Sequence, residues 1–290
     1  MKYFKYVVKN KENKITLKSW MQSFNLAKNK INYLIDNKCV IINCVMINKR
    51  EYELKENDEI IVDVSYYENI DYPPSRYNLE ILYEDDYILV VNKPAKVIIY
   101  PENKEQAKTM ANYIANYYTK TNQELTVRHA HRLDTDTTGC LIYAKDVFTH
   151  SYLSYLFENG KVKKEYYAIV YGIIEKAGKI DSPIGKNRHN NLMMVTKNGS
   201  NALTLYKPLK YFENKTLLNV EIKTGRTHQI RVHMSSVKHA LVGDMMYGST
   251  ESADRVMLHC QHIGFVHPIL GYWVDFYAEL PNDMRKIMGE

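Results

Sequence analysis

Apolar residues in this chain are gathered into runs of strand length, with VIINCVMI from Val40 to Ile47 and YILVVNKP from Tyr87 to Pro94 among the longest. A membrane-spanning helix needs roughly 18 consecutive apolar residues, so no run here is long enough to cross a bilayer as a helix. ILYEDDYILVVNKP reads as two strands around an acidic turn, KKEYYAIVYGII alternates as a strand, and LTLYKPLKYFENKTLLNVEIKTG supplies two more. VMLHCQHIGFVHPILGYWVDFYAEL reads as a hairpin turning at Leu270 and Gly271. Helical spacing is confined to AKTMANYIANYY, to HSYLSYLFENGKV, which stops at Gly160, and to RTHQIRVHMSSVKHA. Strands outnumber helices and seldom alternate with them one to one. The expected fold is α+β, with flanking helices on a mixed, mainly antiparallel sheet.

A smaller unit precedes this. Leu17, Trp20, Met21 and Phe24 fall at helical spacing, and Ala27, Ile31, Leu34 and Ile35 repeat the pattern. VIINCVMINKREYELKENDEIIVDV then gives short strands between polar turns. SYYENIDYPPSRYN, with two prolines and little periodicity, reads as a connection. The expected division is a small domain over 1–66, a linker over 67–77 and a large domain over 78–290. The net charge is +6, yet eleven of the 39 basic side chains and only two of the 33 acidic ones lie in residues 1–50. Excess positive charge concentrated in one segment points to a polyanion partner, against solvated surface lysines as the plain alternative. The N-terminal sequence lacks a signal-type apolar core, and Cys39, Cys44, Cys140 and Cys260 form no C-x-x-C pair. A reducing cytoplasm and buried thiols are the expectation.

Chemistry is concentrated in two loops and a strand. In HRLDTDTTGCLIYAKD, Asp134 precedes a Thr-Thr-Gly turn that leads into an apolar strand. That carboxylate could simply cap the turn. A loop, unlike a strand, also lets Arg132 project outward while Asp134 points into a cleft. In TGRTHQIRVHM, Gly225 marks a sharp turn, Thr227 is placed to cap a helix, and His228 and Arg231 share its face at i, i+3 spacing. An arginine near a helix start gains nothing from the helix dipole, so its position suggests a specific partner. If that partner is Asp134, the guanidinium holds the carboxylate ionised and oriented, as a nucleophile requires. In KKEYYAIVYG, Tyr166 shares one strand face with Ala168 and Val170; such tyrosines pack cores or serve as platforms for a flipped base.

Taken in order, ILYEDDYILVVNKPAKVIIYP, HRLDTDTTGCLIYAKD, KKEYYAIVYG, TGRTHQIRVHM, LVGDMMYG and MLHCQHIGFVHP resemble the blocks of the RluA-type pseudouridine synthases, over Asn78 to Asp283. The resemblance implies the pseudouridine synthase fold and isomerisation of uridine in RNA. It makes Asp134 the nucleophile and Arg231 its pairing arginine, and it sets Tyr166 against the uracil as a candidate for assisting proton removal. Arg132 then enters the RNA helix where the target base has left. His131, Thr138, Arg226 and His228, with Gly139, shape the loop and its neighbours around the substrate. Lys96 stands where the pattern usually has glycine, and Tyr100 where it has histidine.

Residues 14–64 resemble the small S-four-like RNA-binding domain often fused ahead of this catalytic domain. Lys38 and Cys44 replace its usual turn glycines, and Ala27 and Lys28 its usual Ser-Arg. Lys18, Lys28 and Lys30 are then candidates to touch RNA. The isomerisation adds and removes no atom, so neither cofactor nor metal is expected. The implied partner is structured RNA, ribosomal before transfer RNA, with no membrane and a monomeric protein. Two rival readings compete. A metal-dependent hydrolase would use His129, His131, Asp134, His228, His233, His259 and His262; the other is a non-catalytic RNA-binding protein of the same fold.

Overall fold

The computed structural model describes residues 2–103, 106–250 and 253–290. In chain order the elements are β1 (Tyr3–Val7), α1 (Leu17–Ser23), α2 (Lys28–Asp36), β2 (Val40–Ile42), β3 (Val45–Ile47) and β4 (Glu59–Asp63). There follow β5 (Glu80–Glu84), β6 (Ile88–Lys93), α3 (Met110–Lys120), β7 (Arg128–His129), β8 (Thr138–Ala144), α4 (Val147–Glu158) and β9 (Lys163–Tyr171). The chain continues through β10 (Gly178–Asp181), β11 (Ile184–Lys186), β12 (Met193–Val195), β13 (Leu203–Phe212) and β14 (Lys215–Ile222). It ends with α5 (Gln229–Ser236), β15 (Leu258–Val266), β16 (Trp273–Tyr277) and α6 (Asn282–Ile287). No helix of the described residues is long and apolar enough to cross a membrane.

Among the described residues the large sheet has ten strands, in the order β10-β13-β14-β9-β15-β8-β6-β5, with β16 on β15 and β7 on β8. Every pairing in it is antiparallel except β15 with β8, which run parallel. This is the expected mixed, mainly antiparallel sheet. Its strand β8 is buried at all seven positions because core packs against both of its faces. Gly139 sits where β8 meets β15, with φ at +110°, and a Cβ there would stand 2.2 Å from the Cys260 carbonyl oxygen. Any side chain at that position would push the two strands apart at the foot of the Asp134 loop.

The N-terminal residues make a second sheet, ordered β1-β4-β2-β3, under α1 and α2. Its strand β1 went unread in the sequence. Phe4 and Tyr6 alternate with exposed Tyr3, Lys5 and Val7, but the lysine-rich start masks that alternation. Ala27 corrects another expectation: it is exposed at the cap of α2, and Leu26 takes the buried place beside it. The core of this unit continues into the large one, since Phe4 stacks on Phe148 of α4 at 4.4 Å. Residues 65–77 are held along the large unit rather than left free. Glu68 pairs with Arg128 at 2.8 Å, Ser75 N–H donates to the Asn112 carbonyl, and Tyr77 stacks on Tyr113. All four cysteines are free thiols; Cys140 and Cys260 are buried, but Cys39 is only half-buried and Cys44 is exposed.

Three residues noted as replacing glycine, Lys38, Cys44 and Lys96, have φ of 58°, 65° and 61°. The turns therefore keep the left-handed backbone that glycine would adopt without strain. Asn43 and Cys44, both left-handed, form the two-residue hairpin turn between β2 and β3.

Candidate active site

The loop ahead of β8 alternates its side chains. His131 turns inward, stacks on Phe157 at 4.7 Å, and accepts the Ile142 N–H at Nε2. Burial, with Lys164 and His129 adding to it, drives its pKa down to about 3, so the ring is a neutral acceptor. Arg132 points out and donates to the Tyr100 hydroxyl at 3.1 Å; Leu133 is buried; Asp134 lies at the cleft wall. The turn closes through the Thr137 N–H, which donates to the Asp134 carbonyl. Beneath it, the fully buried Lys93 donates from Nζ to the carbonyls of Pro94, Thr135 and Thr137 at 2.8, 2.8 and 3.0 Å. One side-chain nitrogen thus ties together three backbone acceptors at the foot of the turn.

Arg231 rises from α5 to meet this loop. Its Nη1 donates to Asp134 Oδ2 at 3.2 Å, while Nε and Nη2 hold Asp244 at 2.7 and 2.9 Å. The stronger, bidentate partner is therefore Asp244, which is 1% exposed. The face of Arg231 lies over the Tyr247 ring at 5.0 Å, a cation–π contact. Burial opposes its charge, but Asp244 and then Asp134 more than offset that and push its pKa further up.

His228 corrects the helix start. It is itself the cap, in a left-handed conformation with φ at 55°, so Thr227 lies outside and does not cap α5. That turn carries the imidazole to the cleft, where Nε2 stands 3.8 Å from Asp134 Oδ2 and Nδ1 is 2.9 Å from the Tyr247 hydroxyl. The hydroxyl accepts the Met193 N–H, which leaves its own hydrogen free for His228 Nδ1. These partners assign the Nε2–H tautomer, with its proton toward Asp134. Burial lowers the His228 pKa, with Asp134 opposing, which favours that neutral form.

Tyr166, 6% exposed on β9, walls the same cleft. Burial and contact with Cys260 push its hydroxyl well above its ordinary pKa, so it stays protonated. Arg226 is exposed at the cleft rim, with Nε on the Asn201 carbonyl at 3.0 Å. Thr138 lies behind the loop and bonds His259 Nδ1 at 2.8 Å. Lys18, Lys28 and Lys30 stand on the N-terminal helices, outside the cleft lining; Lys30 Nζ sits 5.6 Å above the Tyr67 ring. The cleft has a volume of ≈ 940 Å³ and opens to solvent.

The histidines of the metal reading do not converge. His233 bonds Thr204 and Ser182, His259 bonds Thr138 and Ala278, and His262 bonds Asp275. Among the described residues no three His, Cys, Asp or Glu side chains form a group able to hold a metal ion. The sequence reading missed Lys93, Asp244, Tyr247 and the role of Tyr100. A lysine closing an otherwise apolar strand could have flagged Lys93, and Asp244 and Tyr247 lay inside LVGDMMYG, a block already noted.

Comparison with known proteins identifies the family. The family described as RNA pseudouridylate synthase matches residues 87–236. An uncharacterized RNA pseudouridine synthase of Bacillus subtilis is 37% identical over 239 residues, 81% of this chain and 79% of that one. Ribosomal large subunit pseudouridine synthase D of Zymomonas mobilis is 33% identical over 280 residues, covering 90% and 88%. The solved structure of human RNA pseudouridylate synthase domain containing 1 superposes with a TM-score of 0.61 at 26% identity, over 71% of this chain and 85% of that one. With the family matched over more than half of its length and relatives matched over most of theirs, the chain belongs to the RluA-type RNA pseudouridylate synthases, isomerases that convert uridine in RNA to pseudouridine.

Proposed function

We propose that this synthase acts on uridines of large-subunit ribosomal RNA, with Asp134 as nucleophile and Arg231 as the group that aims it. The observation that carries the proposal is the guanidinium of Arg231, locked by Asp244 on one edge and donating to Asp134 through the other in an open cleft. The reaction breaks the bond between ribose carbon 1′ and uracil nitrogen 1, turns the ring, and rejoins it through carbon 5. The carbon 5 hydrogen leaves as a proton and nitrogen 1 gains one, so the product is an isomer. A covalent bond to Asp134 would hold the reaction open while the ring turns.

Extruding the base costs a few kcal/mol. Arg132, which faces outward beside Tyr100, would fill the vacated stack, and Tyr166 would pack against the extruded uracil. Residues 1–66 would serve as an S-four-like RNA-binding domain, joined by 67–77 to a catalytic domain over 78–290. Its Lys18, Lys28 and Lys30 would hold phosphates, so that binding weakens with salt. Relatives named for the large ribosomal subunit support that substrate, and we infer a monomer acting in the cytoplasm. An unmodified large-subunit transcript labelled with tritium at uridine carbon 5 should release tritium with the wild-type protein and none with Asp134→Asn. Because Arg231 keeps Asp244, Asp134→Asn should still fold and bind RNA. Near-normal release by that variant would refute the nucleophile assignment.

A further inference from the structure

Lys164 is a charged side chain that the site described above does not use. It lies on β9 at the same parity as Tyr166, is 6% exposed, and lines the cleft. Among the described residues its ammonium has no hydrogen-bond or ion-pair partner; Nζ sits 5.8 Å from the centre of the Phe157 ring. Burial lowers its pKa, and the only group that opposes this is the thiol of Cys260, so no carboxylate compensates the charge. The positive charge is felt by His131, whose own pKa it helps to lower. Gly225 passes close by: a Cβ there would stand 3.6 Å from Nζ, so the missing side chain leaves the ammonium open to the cleft.

The stem of Lys164 is buried and only its ammonium reaches the cleft, so holding the charge there without a counterion costs the free protein desolvation that a methionine of similar length would not. What the site lacks is a full negative charge. A uracil carbonyl would accept a hydrogen bond but leave the charge unbalanced, whereas the phosphodiester is the one full anion that RNA carries. Positions 164 and 166 are about 7 Å apart along one strand face, so such an anion would sit next to a base held on Tyr166. Resting on the isomerase reading above, we propose that Lys164 is a phosphate anchor: its ammonium pairs with a backbone phosphate adjoining the extruded uridine and fixes the nucleotide over Asp134.

The test compares Lys164→Met with wild type on an unmodified large-subunit ribosomal RNA transcript, with binding measured in an Asp134→Asn background. The slope of log affinity against log salt should shrink by about 1, as expected for one lost phosphate contact. KM for tritium release should rise at least tenfold with kcat changed much less, Lys164→Arg should recover most of the loss, and the melting temperature should hold or rise. An unchanged slope, a fall in kcat at constant KM, or a lower melting temperature would each overturn the proposal. Absence of tritium release by wild type would count against the substrate reading instead, and the salt slope would still decide Lys164.

Discussion

Arg231 and Asp244 form a bidentate pair, at 2.7 and 2.9 Å, buried behind the cleft. Asp134, at 3.2 Å from the opposite edge, takes only the donor that this pair leaves over. The guanidinium is therefore positioned before any substrate arrives, and the reactive carboxylate is aimed without being locked.

Asp244→Asn should be far more damaging to the fold than Asp134→Asn. Breaking a buried ion pair by neutralising one partner costs about 3–5 kcal/mol, because Arg231 is left charged and half-satisfied out of water. Denaturant unfolding of the two variants checks the order. Equal midpoints would mean that the Asp244 contact carries little.

Tyr247→Phe removes the hydroxyl that bonds His228 Nδ1 and accepts the Met193 N–H, yet keeps the ring under Arg231. Stability should fall by about 1 kcal/mol. Turnover should fall about tenfold, equivalent to about 1.4 kcal/mol of lost alignment at Asp134. Single-turnover kinetics at saturating RNA would read the second effect, and wild-type rates there would remove His228 orientation from the mechanism.

Lys93 gives a dependence on pH. Burial pushes its pKa down to about 7 from the model-peptide 10.5, with Asp136 and Asp134 opposing. Above the unfolded value both states are neutral. As pH falls toward 7 the unfolded chain takes up a proton that the folded chain does not, so stability is lost on the way down and changes little below. The stability of wild type relative to Lys93→Met should therefore rise with pH between about 7 and 10, by at most about 1.4 kcal/mol per unit. A flat difference across that range, followed by chemical denaturation, would mean that the three carbonyls keep Lys93 protonated throughout.

The left-handed lysines offer a stabilising test. Lys38→Gly and Lys96→Gly should each raise stability by about 0.5–1 kcal/mol, since relief of a strained φ exceeds the added entropy of the unfolded chain. Lying on separate elements, the two should add. A decrease in urea midpoint for either would show that the lysine side chain contributes contacts worth more than the strain.

Local pattern reaches far in this protein. Strand-length apolar runs gave the α+β class and nearly every strand of the large sheet, because period-2 alternation survives wherever one face is buried. It failed at β1, where exposed lysine and tyrosine obscure the alternation, and at α5, where His228 rather than Thr227 begins the helix. HRLD and TGRTHQIR offered Asp134 and Arg231 as candidates, and it was the family resemblance that paired them. Sequence could not say that Arg231 binds Asp244 more tightly than Asp134, that Lys93 ties the loop from beneath, or that Lys164 is left buried without a counterion. Those facts depend on which side chains meet across strands distant in sequence and on how far water is excluded there. Charge compensation in a low-dielectric interior is a property of the assembled fold, and no window of residues contains it.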